Sequence, residues 1–399
     1  MNLNPFKLIC AAGLFAIFSS TLSKSPVLPL FAVHLGATAS EVGIIAAVST
    51  LSGIAFSIPA GMLSDRFGRK TMLIAAGVVF ASAPAMYLLT TGIWPLATIR
   101  FYHGLATAIF MPVAMAYVSD LNEQSKGEKL GWFSTATLLG RFMAPLTGGA
   151  LLGYLGSGSD SGFATIYSVC LVGGALALLI FARMPPAVGT PQTPKTWKDQ
   201  REGLIQLVSS GPLLAIGMVE AAVLFMNGTI EVFLPLYGLS HGIGAFAIGV
   251  CLAAQVITLA ATKPVMGRLS DRHGRSGQII WGAFLGVAAA ASMAAPASFI
   301  LLLALSILIG LSLSIVTSAT SAAVADISRC ETRGSAMGVF GTIMDVGHSA
   351  GPLVSGMVAA FLGFKAAFMG SAIVLTLAVI AFKAITVNQL KPCSVSEQG

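Results

Sequence analysis

Stretches of about 20 apolar residues recur from one end of this chain to the other, and that length is what an α-helix needs to cross the hydrocarbon core of a bilayer. Twelve are separated by short polar turns: 8–33, 42–62, 72–91, 95–118, 130–153, 163–183, 212–237, 245–265, 278–296, 298–323, 335–361 and 364–384. The composition agrees, with 56% hydrophobic and 9% charged residues and a mean hydropathy of +0.87. A soluble domain carries about a quarter charged residues, which excludes a water-soluble globular enzyme. Ten-residue segments of alternating polarity, the mark of a transmembrane β-barrel, are absent. The expected fold class is therefore an all-α membrane protein with twelve transmembrane helices. Lys7 and the first stretch resemble the start of a signal peptide, but no small-residue cleavage site follows, so the stretch is read as a retained helix. The five cysteines show no CxxC spacing and are read as reduced packing residues.

An even number of spans puts both termini on one side. Eighteen of the 22 Lys and Arg residues fall on that side. Lys365 lies opposite, and Lys24, Arg100 and Arg141 lie inside spans. This asymmetry assigns the termini to the cytoplasm of a bacterial inner (cytoplasmic) membrane. It also accounts for the net charge of +7 without a nucleic-acid partner. The one long polar segment, 184–211, is rich in Pro and charge and reads as a cytoplasmic linker. It divides the chain into six-span units at 1–183 and 212–399.

Those units repeat. Gly61-Met-Leu-Ser-Asp65-Arg66-Phe-Gly68-Arg69-Lys70 returns 206 residues later as Gly267-Arg-Leu-Ser-Asp271-Arg272-His-Gly274-Arg275-Ser276. The same offset pairs Leu28-Pro29-Leu30 with Leu234-Pro235-Leu236, Gly43 with Gly249, Gly104 with Gly310 and Asp120 with Asp326. One residue more pairs Gly131, Gly140, Pro145 and Gly149 with Gly338, Gly347, Pro352 and Gly356. A single shift that aligns so many landmarks marks a duplicated six-helix unit, the copies related by an axis along the membrane normal.

On these residues the chain resembles the major facilitator superfamily over essentially its whole length. The turn at 61–70 matches the family's Gly-x-x-x-Asp-Arg-x-Gly-Arg-Lys/Arg signature, and its second copy lacks only the last base, at Ser276. Arg100-Phe-Tyr-His103-Gly104 resembles the Arg-x-x-Gln-Gly pattern of span 4, with His for Gln. Gly131, Gly140, Ala144-Pro145 and Gly148-Gly149 resemble the span 5 pattern of the drug:proton antiporter branch, with Ala144 for one Gly. The resemblance implies two six-helix bundles and a secondary transporter, an exporter rather than an importer. It also implies a gate on the cytoplasmic side, closed when the transporter faces outward. There Asp65 meets the start of span 11 and Arg69 meets Asp120, mirrored by Asp271, Arg275 and Asp326. A plain solvated charge run accounts for Arg66 and Lys70. For the span 5 residues and for Gly347, Gly351 and Pro352 in span 11, small residues permit close helix approach and Pro bends helices, so packing and function coincide.

Ionisable residues inside spans are costly and point to function. Here they are Lys24, Arg100, Arg141, Glu220, Glu231 and Asp345, with His103 and His348 nearby. The repeat offset sets Lys24 and Glu231 at nearly the same depth on spans 1 and 7, which in this fold face each other across the cavity. Arg100 lies about 8 Å below the outer end of span 4 at 1.5 Å per residue, in the same outer layer, and Glu220 about 16 Å nearer the cytoplasm than Glu231. Glu231, Glu220 and Asp345 are the proton-coupling candidates, and Lys24, Arg100, His103 and Arg141 the substrate-cavity candidates. The plainer readings are snorkelling for Lys24, a static ion pair for Glu231, and contacts at the seam between halves for Arg141, Asp345 and His348. Met62, Met111, Met115 and Met226 are candidates for an adaptable apolar lining.

No nucleophile elbow, zinc-binding His-Glu-x-x-His or phosphate loop occurs, so neither an enzyme nor an ATP-driven pump is expected, and no cofactor or metal. The expected activity is proton-coupled efflux of small amphipathic or cationic compounds by alternating access. Transport of an organic anion and a non-transporting sensor on the same fold remain as alternatives. The partners expected are a small-molecule substrate, protons and the lipid bilayer, with no obligate protein partner. Inserting a few Gly and Ser residues near Gly189 is expected to leave transport intact, because lengthening a flexible loop costs little entropy. Loss of transport by correctly inserted protein would make the linker an active element.

Overall fold

The computed structural model describes residues 4–121, 125–186, 211–295, 298–328 and 333–386. All regular structure among them is helical. The first half contains α1 (Pro5–Leu22), α2 (Val27–His34), α3 (Ala39–Phe67), α4 (Arg69–Leu88), α5 (Ile93–Leu121), α6 (Lys126–Leu155) and α7 (Asp160–Arg183). The second contains α8 (Gly211–Ser240), α9 (Ala245–His273), α10 (Arg275–Ser292), α11 (Phe299–Ile327), α12 (Arg333–Leu362) and α13 (Phe364–Thr386). These make the twelve expected spans, with α1 and α2 end to end as the first. The single helix expected over 8–33 is broken at 23–26, where Pro26 has no N–H to continue the ladder. The expected linker lies outside the described residues from 187 to 210.

Among the described residues nine helices are long and apolar enough to cross a membrane by composition alone. The exceptions, α6, α10 and α12, are diluted by Gly, Ser, Thr and charge. Helix ends follow local chemistry rather than hydropathy. Thr38 and Glu41 form a reciprocal capping box that starts α3. At its other end α3 runs past the apolar stretch to Phe67, and α4 begins two residues later. Gly68, at φ 88° and ψ 145°, is the whole connection, and Gly274 at φ 89° makes the same join between α9 and α10. Only glycine adopts that region without strain. The two signature turns are thus single-residue hinges that aim Arg69 and Arg275 back across the preceding helix.

The halves pack alike. In the first, α1 lies on α6, α3 on α5 and α4 on α7; in the second, α8 lies on α12, α9 on α11 and α10 on α13. The halves meet chiefly through α3 against α12 and α6 against α9, and α2 adds contact with α8. Two seams result, and each is built from the same parts. Gly43 of α3 sits on the carbonyl of Pro352 and 3.2 Å from Gly356 Cα, measured from where a Cβ would stand. Gly249 of α9 sits on the carbonyl of Pro145, 3.1 Å from Gly149 Cα by the same measure. Gly140 and Gly148 pack α6 onto the first span, and Gly347 and Gly351 pack α12 onto α8. Gly131, expected to do likewise, has open space around it.

Both seams lie at the end of the bundle away from the termini. Toward the terminal end of the same helices, Gly53, Gly61, Gly267 and Gly341 meet nothing within 4 Å. The hydrophobic core divides in the same way. One cluster unites the second half with the far end of the first, through Leu22, Phe31, Phe163 and Tyr167. The terminal end of the first half keeps a separate core around Phe80, Phe110, Phe133 and Phe181. The halves are therefore joined at the far end and parted at the terminal end.

Gly43→Val or Gly249→Val should push the far seam apart, since overpacking a close contact costs about 1–3 kcal/mol. A cysteine placed in the cavity should then react several-fold faster with a membrane-impermeant thiol reagent applied at the far face. An unchanged rate would show that the seams do not hold that face shut.

Candidate functional site

Parting the terminal ends leaves a cavity of about 570 Å³ between the halves, within the size range of small-molecule sites. The first half contributes a largely polar wall, including Ser20, Thr21, Ser49, Thr50 and Thr107. The second sets an apolar patch of Leu224, Leu252, Val256, Leu259 and Leu313 among Asn227, Gln255, Thr317 and its charged side chains. Of the candidate lining methionines, Met111 reaches the cavity, whereas Met226 is fully buried in the core.

All but Glu220 of the charges expected inside the spans converge here. Lys24, Arg100, His103, Arg141, Glu231 and Asp345 all line the cavity, and His348 joins them. Lys24 Nζ lies 3.2 Å from Glu231 Oε1. It is also 3.1 Å from His348 Nε2, which in turn lies 3.5 Å from Glu231 Oε2. Asn227 lies 3.5 Å from His348 Nδ1, and Gln255 Nε2 donates to Asn227 Oδ1 at 2.6 Å. One cation from the first half is thereby tied to a hydrogen-bonded group carried by α8, α9 and α12. Lys24 does not snorkel to the surface.

Several expectations need correction. His348 is a partner of Lys24 and Glu231 rather than seam packing, since its Nε2 lies within polar-contact distance of both. Arg141 and Asp345 face the cavity as well as flanking the seam. Arg100 forms no ion pair with Glu231 among the described residues. Its guanidinium stays within the first half, donating to Ser49 Oγ at 3.0 Å and to Tyr87 Oη at 3.3 Å. His103 Nδ1 lies 3.3 Å from Tyr87 Oη and 3.4 Å from Ser23 Oγ. Glu220 is fully buried inside the second half and does not line the cavity; it accepts a 2.7 Å hydrogen bond from Thr320 Oγ1. Lys263, which the sequence groups with a terminal turn, lines the cavity instead. It stands where the first half has Ser57, one helical turn before the signature, and only the three-dimensional direction of its face reveals it.

The two charge sets at the terminal turns are near copies. Arg69 bonds Asp65, Ser64 Oγ and, through Nε at 3.2 Å, Asp120. Arg275 bonds Asp271, Ser270 Oγ and, through Nε at 3.0 Å, Asp326. The serines are legible in the sequence as part of the repeat but not as partners. The implied meeting of Asp65 with the start of span 11 falls partly on residues 329–332, outside the described ones. The sets differ in burial: Asp120 is 8% exposed and Asp326 59%. Ion pairs in water contribute little, so the first set is the stronger tie. Asp65→Asn should therefore cripple transport at normal membrane insertion, and Asp271→Asn should reduce it less. Equal, undiminished turnover of both in proteoliposomes would remove the gate assignment.

Of the other sequence expectations, Cys10, Cys170 and Cys251 are free thiols, and Cys330 and Cys393 lie outside the described residues. Among the described residues no cluster of His, Cys, Asp and Glu is arranged to hold a metal ion.

The profile of the Major Facilitator Superfamily matches residues 9–254 and 221–392. The chain is 25% identical to the multidrug resistance protein MdtG of Klebsiella pneumoniae, over 94% of this chain and 90% of that one. It is 24% identical to a multi-drug resistance efflux pump PmrA homolog of Lactococcus lactis, over 92% and 91%. Among solved structures, a bacterial homolog of the human lysosomal transporter Spinster, inward-facing and unoccupied, superposes with a TM-score of 0.79 at 15% identity. That match covers 97% of this chain and 98% of the other.

Proposed function

The chain belongs to the major facilitator superfamily of membrane transporters, and from that premise we propose that it exports amphipathic compounds in exchange for protons. The relatives named for multidrug resistance and efflux support export. The observation that carries the coupling is the pair of Lys24 and Glu231, one from each half, at the closed end of the cavity. With the termini in the cytoplasm, as the Lys and Arg distribution indicates, this state faces inward.

In the inward-facing state Lys24 and His348 stand against the Glu231 carboxylate, and no proton is needed there. Rocking the halves to open the far seam carries Lys24 away from Glu231, because the two ride on different halves. A carboxylate stripped of its counter-charge in a low-dielectric cavity takes up a proton from the outer medium. Return to the inward state restores Lys24, and the pair releases that proton to the cytoplasm. Substrate bound in the inward state leaves on the outward stroke. Asp345 lines the same cavity and is the second proton candidate. Glu220, away from the cavity, is assigned a packing role with Thr320. The four cations in the lining give no support to the strictly cationic substrates that the sequence leaves open.

Glu231→Gln should abolish uptake driven by a pH gradient in proteoliposomes and spare energy-independent substrate exchange. Glu220→Gln should retain both. Uphill transport by Glu231→Gln would move the proton site elsewhere, and loss of exchange together with binding would make Glu231 a substrate ligand. Full rescue of Glu231→Gln by Lys24→Ala would reduce the pair to a structural one.

A further inference from the structure

Among the described residues the cavity lining holds more positive than negative charge, and the most deeply buried of its cations pairs with no acid. Four basic side chains line it, Lys24, Arg100, Arg141 and Lys263, against two carboxylates, Glu231 and Asp345. Glu231 is engaged by Lys24. Arg100 is only 3% exposed and makes no ion pair among the described residues. Its hydrogen-bond partners are two hydroxyls, and its Nε has none. His103, one turn along the same helix and 2% exposed, likewise leaves Nε2 without a partner.

A buried guanidinium without a counter-ion is expensive, more so within a membrane. Tyr87 and Ser49 hold this one in place: Tyr87 is itself wedged against Tyr167, the ring centroids 4.7 Å apart, and Gly104 lets α5 approach the backbone of Ser49 closely. Hydroxyls orient a guanidinium but do not neutralise it. The planar fork of Arg matches the paired oxygens of a carboxylate, sulfonate or phosphonate. Across the cavity stand the apolar side chains of Leu224, Leu252, Val256 and Leu259.

We infer that the cavity selects amphipathic organic anions, with the acidic head group on Arg100 and His103 and the apolar body against α8 and α9. Arg141 and Lys263 extend the positive field toward the terminal opening and draw the anion in. This inference rests on the transport reading for its purpose, though binding is measured apart from transport.

The test uses three probes with one apolar body: 1-naphthalenesulfonate, 1-naphthylmethylammonium and 1-naphthalenemethanol. Thermal unfolding of the purified chain in detergent is followed against the concentration of each. The sulfonate should raise the unfolding midpoint saturably, and the ammonium and the alcohol should not. Arg100→Gln should weaken the apparent affinity for the sulfonate at least tenfold, and Arg100→Lys less. A merely structural Arg100 would instead lower the midpoint of the unliganded protein and leave the sulfonate's affinity unchanged in the folded fraction. That result would overturn the inference, as would ammonium binding equal to sulfonate binding in the wild type. The comparison of the three probes needs no variant, so it decides even if Arg100→Gln fails to fold. Proteoliposome uptake of the same probes separates the two claims. Movement of the ammonium alone would sink the anion inference and leave transport standing. Arg100-dependent binding of the sulfonate without movement would do the reverse.

Discussion

A charge placed in hydrocarbon must be compensated, and the arrangement of this protein follows from where that compensation is found. Lys24 belongs to the first half and its acid, Glu231, to the second. Neither half satisfies its own charge at that depth, so the pair is also a bond between halves. It stands beside the far seam, at the closed end of the cavity. The same pair compensates two buried charges and bridges the halves, and under the proposed mechanism its carboxylate changes surroundings when the halves move. Arg100 is the contrasting case, a buried cation compensated by no acid among the described residues.

The second constraint is backbone contact. Two helices approach to backbone distance only where Cβ atoms are missing, and each seam sets a glycine on the carbonyl of a helix-bending proline. Such a contact is made or broken as a unit. Because duplication produced both seams from one design, they lie at the same depth. The hinge glycines Gly68 and Gly274 repeat this economy at the terminal end, where they fix two arginine-centred clusters within their own halves. Each cluster ties together helices of its own half, α3, α4 and α5 in the first and α9, α10 and α11 in the second.

Much of this is legible in the sequence, for reasons that can be stated. The spans are visible because the bilayer demands long apolar runs. The duplication is visible because turns require particular residues at fixed spacing. The shared depth of Lys24 and Glu231 is visible because the repeat offset measures depth. Direction around a helix is not legible. Hydropathy is nearly uniform around α8 and α9, so nothing marks Lys263 as facing the cavity or Glu220 as facing the interior of its own half, and a lone His348 on α12 carries no signal of its partners. The sequence puts Arg100 at the correct wall but suggests the wrong partner, because depth along the bundle does not say which half a long side chain turns toward. The break at 23–26 is marked in the sequence by Ser23-Lys24-Ser25-Pro26, but the total length of 8–33 also suits one unbroken span.

The central claim is that the bond between Lys24 and Glu231 holds the far end shut and the terminal end open. Pulsed electron resonance between spin labels at Leu63 on α3 and Met337 on α12, both exposed near the terminal opening, reads this directly. In the wild type the long distance of the open state should dominate. In Glu231→Gln a shorter distance should gain population, as the far seam loosens and the terminal ends close. An identical distance distribution in the two proteins would contradict the account.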